Sequence, residues 1–362
     1  MHNDLLPNSE TENEALKADY KAVTNTLRTD IVIGSDQLSV YRTEETNETL
    51  QKMEQEGPVI ISGSHGAGKS SLLRLMEGQV KAQGRPTLYL STDTLGEKRT
   101  ETVDDLVATL KKKNGLLLVD EFTYAFMTQD GWDKTAELRE LMEKAAQADI
   151  PLALVVHAYP EYRDAALQRL PFTDASRIVI PRGITSDEIR KAMSSGATYK
   201  RTEKPRNPQV LEINEDAVKA VAALAGDRPA VVNYFLQRLY TEEQRKNPLP
   251  AILTATTVNE YFKKDKKNVI ASSTMQRVMK VGLTLLENPQ QEETFIDMFL
   301  SNPDEIDHAT MTMEDVKDAD ADALDAATKK AWMDAGLIKE QNGRVSVNGF
   351  LTAMVVTKHV IF

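Results

Sequence analysis

Short apolar segments alternate with amphipathic ones through the first half of the chain. Strand-like runs lie at 58–62, 87–90, 115–119, 151–156 and 177–180, and helical spacing of apolar residues separates them at 70–83, 103–113 and 135–148. The run at 115–119 is apolar almost throughout, which indicates a strand buried on both faces. Strands separated by helices predict an α/β fold: a parallel sheet with helices on both faces and right-handed crossovers.

The pattern changes after Pro181. Helical spacing occurs at 186–193, 215–224, 229–240 and 258–264, with no strand pattern between these segments. A basic polar insertion at 200–206 interrupts them. This region is predicted to be a small all-α domain.

A third pattern begins near Asn268. It contains a helical segment at 275–287, an acidic loop, further helical segments at 313–317 and 323–335, and a turn at 342–343 with alternating valines after it. Three helices followed by a hairpin fit a winged helix. The predicted division is a tail at 1–29, an α/β domain at 30–182, an all-α domain at 183–267 and a winged helix at 268–362.

Composition narrows the class of protein. A chain of 362 residues is long enough for two or three domains, and no apolar run approaches the roughly 20 residues of a membrane helix. The polar, acidic start at 1–14 is typical of a disordered tail and not of a signal peptide. The absence of cysteine excludes disulfides and thiolate metal sites and fits a cytoplasmic location.

Charge bears on nucleic-acid binding. The net charge is −11, so non-specific coating of nucleic acid is not expected. Any DNA contact would need the local basic segments at 111–113, 200–206 and 263–267, and such segments are more often solvated faces or linkers.

One glycine-rich segment carries specific chemistry. It matches G-x-x-x-x-G-K-[ST] and lies between a predicted strand and a predicted helix: Gly63-Ser64-His65-Gly66-Ala67-Gly68-Lys69-Ser70. Glycines let the backbone N–H groups face phosphate oxygens, and the following helix N-terminus completes an anion site. We expect Lys69 to bridge the β- and γ-phosphates of a nucleotide and Ser70 to ligate Mg²⁺.

A second segment, 116–121, ends a buried apolar run with two carboxylates. Asp120 is predicted at the strand's carboxyl edge, beside the glycine loop, as a ligand to Mg²⁺-bound water. Glu121 would then polarise the attacking water as general base. A solvated acidic pair at a strand end is the plain alternative. The guanine-reading N-K-x-D sequence is absent, so ATP is favoured as the nucleotide.

Further polar residues follow the later strands. His157 ends the run at 152–156 and is expected to contact the γ-phosphate or the attacking water, or simply to cap the strand. Among the arginines after it, Arg169 is favoured as a finger that reaches a neighbouring subunit's ATP, with Arg177 second. Surface ion pairs are the alternative for both.

Arg228 precedes a predicted helix whose first turn contains Pro229, with Asp227 as a candidate cap. An arginine at this junction can reach a nucleotide from the helical domain, or it can be an exposed loop residue. The predicted nucleotide-binding set therefore comprises residues 63–70 together with Ser71 and Arg228.

These motifs resemble those of the AAA+ ATPases, in the branch with a helical lid and a C-terminal winged helix. That branch includes origin-recognition initiators, transposition regulators and STAND-type signalling ATPases. The resemblance implies that Lys69 and Ser70 form Walker A and that Asp120 and Glu121 form Walker B. It also implies sensor 1 at His157, sensor 2 at Arg228 and assembly into homo-oligomers.

The predicted winged helix is acidic. From 268 to 362 there are 15 Asp and Glu against 8 Lys and Arg, a net of −7, and this opposes docking in a DNA groove. Two functions follow: an assembling ATPase in a DNA-linked process such as replication initiation, transposition or mobile-element defence, or a STAND-like switch with little turnover that contacts a protein partner. A small-molecule kinase would leave the C-terminal regions unexplained.

Overall fold

The computed structural model describes most of the chain from residue 43 onward. The described residues are 43–91, 101–122, 136–156, 164, 168, 178–197, 212–246, 252–301, 303 and 311–361. They form two compact units: the first contains 43–63 and 69–181, and the second contains 64–68 and 182–361.

The first unit is built on a five-stranded sheet in the order β2-β3-β4-β1-β5, and every pairing in it is parallel. Its strands are β1 (Val59–Ile61), β2 (Thr87–Ser91), β3 (Leu116–Asp120), β4 (Leu152–Val155) and β5 (Ile178–Val179). Its helices are α1 (Thr43–Glu56), α2 (Lys69–Ala82), α3 (Val103–Lys112) and α4 (Ala136–Gln147). The predicted parallel sheet is therefore confirmed. Helix α1 was not predicted.

Helices cover both faces of this sheet. Alternate residues of β3 point to opposite faces, so Leu116 and Leu118 join a core with α1 and α2, and Leu117 and Val119 join a second core with α3 and α4. All five β3 residues are buried. A strand buried on both faces needs a continuous apolar run, and that run is what predicted β3 from the sequence.

The second unit is mainly helical. Its helices are α5 (Ser186–Ala197), α6 (Glu215–Ala225), α7 (Pro229–Lys246), α8 (Ala255–Ile270), α9 (Ser273–Leu285), α10 (Pro289–Phe299), α11 (Ala326–Asp334) and α12 (Phe350–Ile361). Its strands are β6 (Glu212–Ile213), β7 (Ile252–Leu253), β8 (Ala319–Asp320), β9 (Ile338–Gln341) and β10 (Arg344–Val347). Strands β6 and β7 pair in parallel, and β8-β10-β9 form an antiparallel sheet.

Three sequence-based predictions in this unit were wrong. The 183–267 region contains strands β6 and β7, which are too short to leave a periodic pattern. Part of the predicted acidic loop is helix α10, because Asn288 caps it, Pro289 starts it, and Phe295 and Phe299 bury one face against Trp332. The predicted helix at 313–317 is a single 3₁₀ turn, Met313–Asp315.

The predicted boundary between 267 and 268 falls inside helix α8. The two regions that it would separate also share side-chain contacts. The Asn348 side chain donates to Oδ1 of Asp227 at 2.7 Å and accepts from the Asp227 N–H at 3.1 Å. These contacts join residues far apart in sequence within one unit. Across the described residues, no helix is both long and apolar enough to cross a membrane.

Candidate functional site

The glycine-rich loop connects β1 to α2, as its sequence context predicted. Gly66 and Gly68 have φ values of +79° and +91°, a conformation that glycine adopts without the penalty paid by other residues. The Ala67 N–H closes a turn onto the Ser64 carbonyl at 3.1 Å. The first N–H groups of α2 have no carbonyl acceptor within their own helix, which is the electrostatic basis of an anion site at this end.

Lys69 is the first residue of α2, and its side chain folds back over the loop. Its Nζ donates to the Gly63 carbonyl at 2.8 Å. The ammonium group therefore lies at the start of the glycine loop, where its charge adds to the positive helix end. An ammonium here acts as a point charge suited to phosphate oxygens.

Ser70 and Asp120 meet although 50 residues separate them in sequence. The Ser70 hydroxyl donates to Oδ1 of Asp120 at 3.0 Å, and Asp120 is 1% exposed at the carboxyl end of β3. A hydroxyl and a carboxylate are hard oxygen donors of the kind that hold Mg²⁺ in nucleotide sites, where phosphates and water supply the other ligands. The residues present therefore fit Mg²⁺. The described residues contain no group of three or more His, Asp or Glu that could hold a metal by itself.

Both carboxylate oxygens of Asp120 accept hydrogen bonds. Oδ1 also accepts from the Glu121 backbone N–H at 2.9 Å, and Oδ2 accepts from the Tyr89 hydroxyl at 2.5 Å. Burial, and then the neighbouring Asp120 carboxylate, raise the pKa of Tyr89 well above its ordinary value, so the phenol remains a donor. The orientation of Asp120 is thus set from both sides.

Glu121 follows the end of β3 and is exposed. Its φ of +52° lies in the left-handed region, which is uncommon for a residue with a side chain. Such strain costs about 1–2 kcal/mol and persists where surrounding contacts impose it. Here the hydrogen bond to Asp120 is one such contact.

Tyr89 was missed by sequence reasoning. In the sheet it pairs with Leu118, so Asp120 is its diagonal neighbour on the same face of the adjacent strand. The aromatic residue in a strand pattern was visible in the sequence. Its relation to Asp120 depends on β2 lying beside β3, which the sequence does not specify.

Arg228 is buried, with 3% of its surface exposed. Its guanidinium donates to the carbonyls of Val278 and Ala335 and to the Met279 sulfur. This arrangement favours a structural role, and the predicted contact with nucleotide stays a prediction. Residues 63–71 all lie at the loop and the first turn of α2, whereas His157, Arg169 and Arg177 lie outside the described residues.

No protein-family model matches the sequence, and no curated protein matches it either. Solved structures do align with it. The Walker-type ATPase PabY2304 of Pyrococcus abyssi has 12% identity and a TM-score of 0.47, covering 90% of this chain and 96% of its own. RuvB, the Holliday junction branch migration motor of Thermotoga maritima, has 14% identity and a TM-score of 0.40, covering 85% and 92%. The AAA domain of FIGL-1 in complex with ADP has 12% identity and a TM-score of 0.41, covering 66% and 88%.

All three TM-scores are below 0.5, so the fold is assigned from this chain's own geometry. The parallel sheet, the glycine loop directly after β1 and the flanking helices define a P-loop NTPase fold. The resemblance to the AAA+ ATPases stays a prediction, as do the lid and winged-helix assignments.

Proposed function

We propose that this protein binds ATP with Mg²⁺ at residues 63–71 and hydrolyses it. The observation that carries the proposal is the hydrogen bond between Ser70 and Asp120, which joins the two nucleotide motifs in one place. Lys69 and the N-terminus of α2 supply positive charge for the phosphates. The preference for adenine rests on the missing guanine-reading sequence.

The roles of the chain's own residues follow from their chemistry. Lys69 neutralises charge on the β- and γ-phosphates, and Ser70 and Asp120 hold the metal site. Mg²⁺, when bound, offsets negative charge on the phosphate oxygens. The Glu121 carboxylate accepts a proton from water as the water oxygen attacks the γ-phosphorus. The bond between that phosphorus and the bridging oxygen breaks, which gives ADP and phosphate.

The first test compares wild type with Glu121→Gln. The variant is expected to bind ATP as wild type does and to lose at least about a hundredfold in turnover, because an amide does not accept the proton. Glu143→Gln, at an exposed position of α4, is the matched control and should keep full turnover. Equal turnover in wild type and Glu121→Gln would exclude Glu121 as the base.

At the level of process, the proposal is an ATPase that assembles with ATP and acts in a DNA-linked process. This rests on the AAA+ resemblance and on exposed lysines of α8, namely Lys263, Lys264 and Lys267. Turnover that rises with protein concentration and with double-stranded DNA would support it. Turnover indifferent to both would exclude it.

The alternative is a nucleotide-gated switch that contacts a protein partner through the predicted winged helix. From 268 to 362 there are 15 acidic residues against 8 basic ones. This excess favours a protein partner because the phosphates of DNA would repel such a surface. It predicts partner binding that depends on ATP and is unaffected by DNA. Partner binding that is equal with ATP, with ADP and without nucleotide would contradict it.

A further inference from the structure

Tyr89 has a place in the site that neither motif contains. It lies in β2, and its hydroxyl donates to the one carboxylate oxygen of Asp120 that Ser70 does not contact. The two carboxylate oxygens of Asp120 therefore have different hydrogen-bond partners. Oδ1 accepts from the Ser70 hydroxyl, and Oδ2 accepts from the Tyr89 phenol.

The Tyr89 ring is itself fixed from the other side. The guanidinium carbon of Arg74 lies 3.1 Å from the ring centroid, a cation–π contact. A cation on the ring face draws electron density from the phenol and makes its O–H a stronger donor. Arg74 is four residues after Ser70 in α2, so one stripe of this helix presents both the hydroxyl and the guanidinium.

Glu77 holds Arg74 in place. It is 7% exposed, and its Oε2 pairs with Nη1 of Arg74 at 2.7 Å. Its other oxygen pairs with Lys81 at 2.8 Å and lies 3.5 Å from the Thr87 hydroxyl of β2. The contacts thus run without a break from Glu77 through Arg74 and Tyr89 to Asp120.

We propose that Tyr89 is a positioning residue for Asp120 and that Arg74 and Glu77 hold it there. By occupying Oδ2, the phenol fixes the rotation of the carboxylate and keeps Oδ1 beside Ser70. Oδ1 of Asp120 and the hydroxyl oxygen of Ser70 then act together at the metal site. This inference rests on the proposed function, because it assigns Tyr89 to the Mg²⁺-dependent part of ATP binding.

The test measures binding of a fluorescent ATP analogue at increasing Mg²⁺ concentrations and, separately, in EDTA. In Tyr89→Phe the Mg²⁺ concentration for half-maximal binding should rise about tenfold, as expected for one lost hydrogen bond to a charged acceptor. The dissociation constant in EDTA should stay unchanged, because the loop and Lys69 are untouched. Tyr234→Phe, which removes a hydroxyl from half-buried Tyr234 of α7, should leave both quantities unchanged.

A second variant keeps the proposal testable if Tyr89→Phe fails to fold. Arg74→Gln retains the phenol but removes the cation, and it should raise the half-maximal Mg²⁺ concentration by about threefold. Thermal unfolding of each variant separates a folding defect from a change in metal dependence. A role in packing alone would lower the unfolding temperature without moving the Mg²⁺ curve.

The outcomes separate this inference from the proposed function. If wild type binds the analogue with Mg²⁺ dependence and folded Tyr89→Phe gives the same curve, the positioning role is overturned and the nucleotide site stands. If wild type binds no nucleotide under either condition, both are overturned. A tenfold shift confined to the Mg²⁺ curve supports the inference.

Discussion

Nη2 of Arg228 donates a 2.8 Å hydrogen bond to the backbone carbonyl of Ala335, 107 residues further along the chain. Nη1 of the same guanidinium bonds the Val278 carbonyl at 2.9 Å, so one side chain joins the start of α7 to α9 and to the end of α11. Burial lowers the pKa of Arg228 to about 10, and the neighbouring Asp227 only partly opposes this. A Cβ at Gly336 would lie 2.0 Å from Nη2, so this contact also requires a glycine.

Arg228→Met should lower the free energy of unfolding by about 2 kcal/mol, because two buried carbonyls lose charged donors while a side chain of similar length remains. Urea unfolding measures this change. ATP affinity of the folded variant should stay within about threefold of wild type, a shift of less than 1 kcal/mol.

The opposite result would identify Arg228 with the predicted sensor. Unchanged stability together with a tenfold or greater loss of ATP affinity would mean that the guanidinium leaves its carbonyl partners for the nucleotide. Arg228→Lys adds a further comparison, because it keeps the charge but cannot bond both carbonyls in the same fork geometry.

Gly66→Ala should damage both stability and nucleotide binding. The Gly66 carbonyl accepts from the Ala230 N–H at 3.1 Å, and an added Cβ would lie 2.6 Å from the Ala230 Cβ. The clash and the positive φ together should cost about 3 kcal/mol in unfolding free energy. ATP affinity should fall more than tenfold, since the loop must shift to relieve the contact.

Gly343→Ala is the matched control for this substitution. Gly343 has a φ of +74°, close to that of Gly66, and nothing lies within 4 Å of its added Cβ. Its free energy of unfolding should fall by only about 1 kcal/mol, from backbone strain alone, and the variant should bind ATP normally. Equal losses in the two variants would show that the contact with Ala230 contributes nothing.

Glu121→Gly should be more stable than Glu121→Ala by about 1 kcal/mol, because glycine relieves the strain of a φ of +52°. Both variants should lack turnover. At Glu143, inside α4, the alanine variant should instead be more stable than the glycine variant, since glycine in a helix interior costs about 1 kcal/mol relative to alanine. Urea unfolding of the four variants checks both signs, and the same order at both positions would contradict the strain at Glu121.

A further prediction concerns how the stability of the fold depends on pH. Burial alone would raise the pKa of Asp265, but hydrogen bonds from Arg238, Asn268 and Tyr261 outweigh it and hold the pKa below its ordinary value. A lowered carboxyl pKa stabilises the fold above the unfolded-state value near 4, and this stabilisation is lost as the pH falls through the folded-state pKa.

Asp265→Asn should therefore lower the free energy of unfolding by about 2 kcal/mol at neutral pH. This difference from wild type should shrink below about pH 4. Urea unfolding between neutral and acid pH measures it. Asp297→Asn, at an exposed position of α10, serves as the control. A difference that stays constant with pH would mean that Asp265 contributes through packing and not through its charge.

Helix α10 and helix α12 show where the periodic pattern misleads. An acidic surface made α10 resemble a loop, yet Phe295 and Phe299, spaced by four, bury against Trp332. Residues 351–357 of helix α12 are all buried, so this part of the helix has no exposed face from which to read a period. Strands β6 and β7, of two residues each, are below the length at which alternation is detectable.

The sequence alone determined the features whose physical cause is local. The glycine loop, the lysine and serine that open α2, and the buried run that ends in Asp120 and Glu121 each depend on neighbouring residues and on strand or helix periodicity. Only the tertiary structure decided which strands are adjacent. The order β2-β3-β4-β1-β5 places Tyr89 beside Asp120, and packing in the second unit closes Arg228 onto Val278 and Ala335. Such contacts join residues 31 to 107 positions apart, and no local propensity encodes a pairing over that distance.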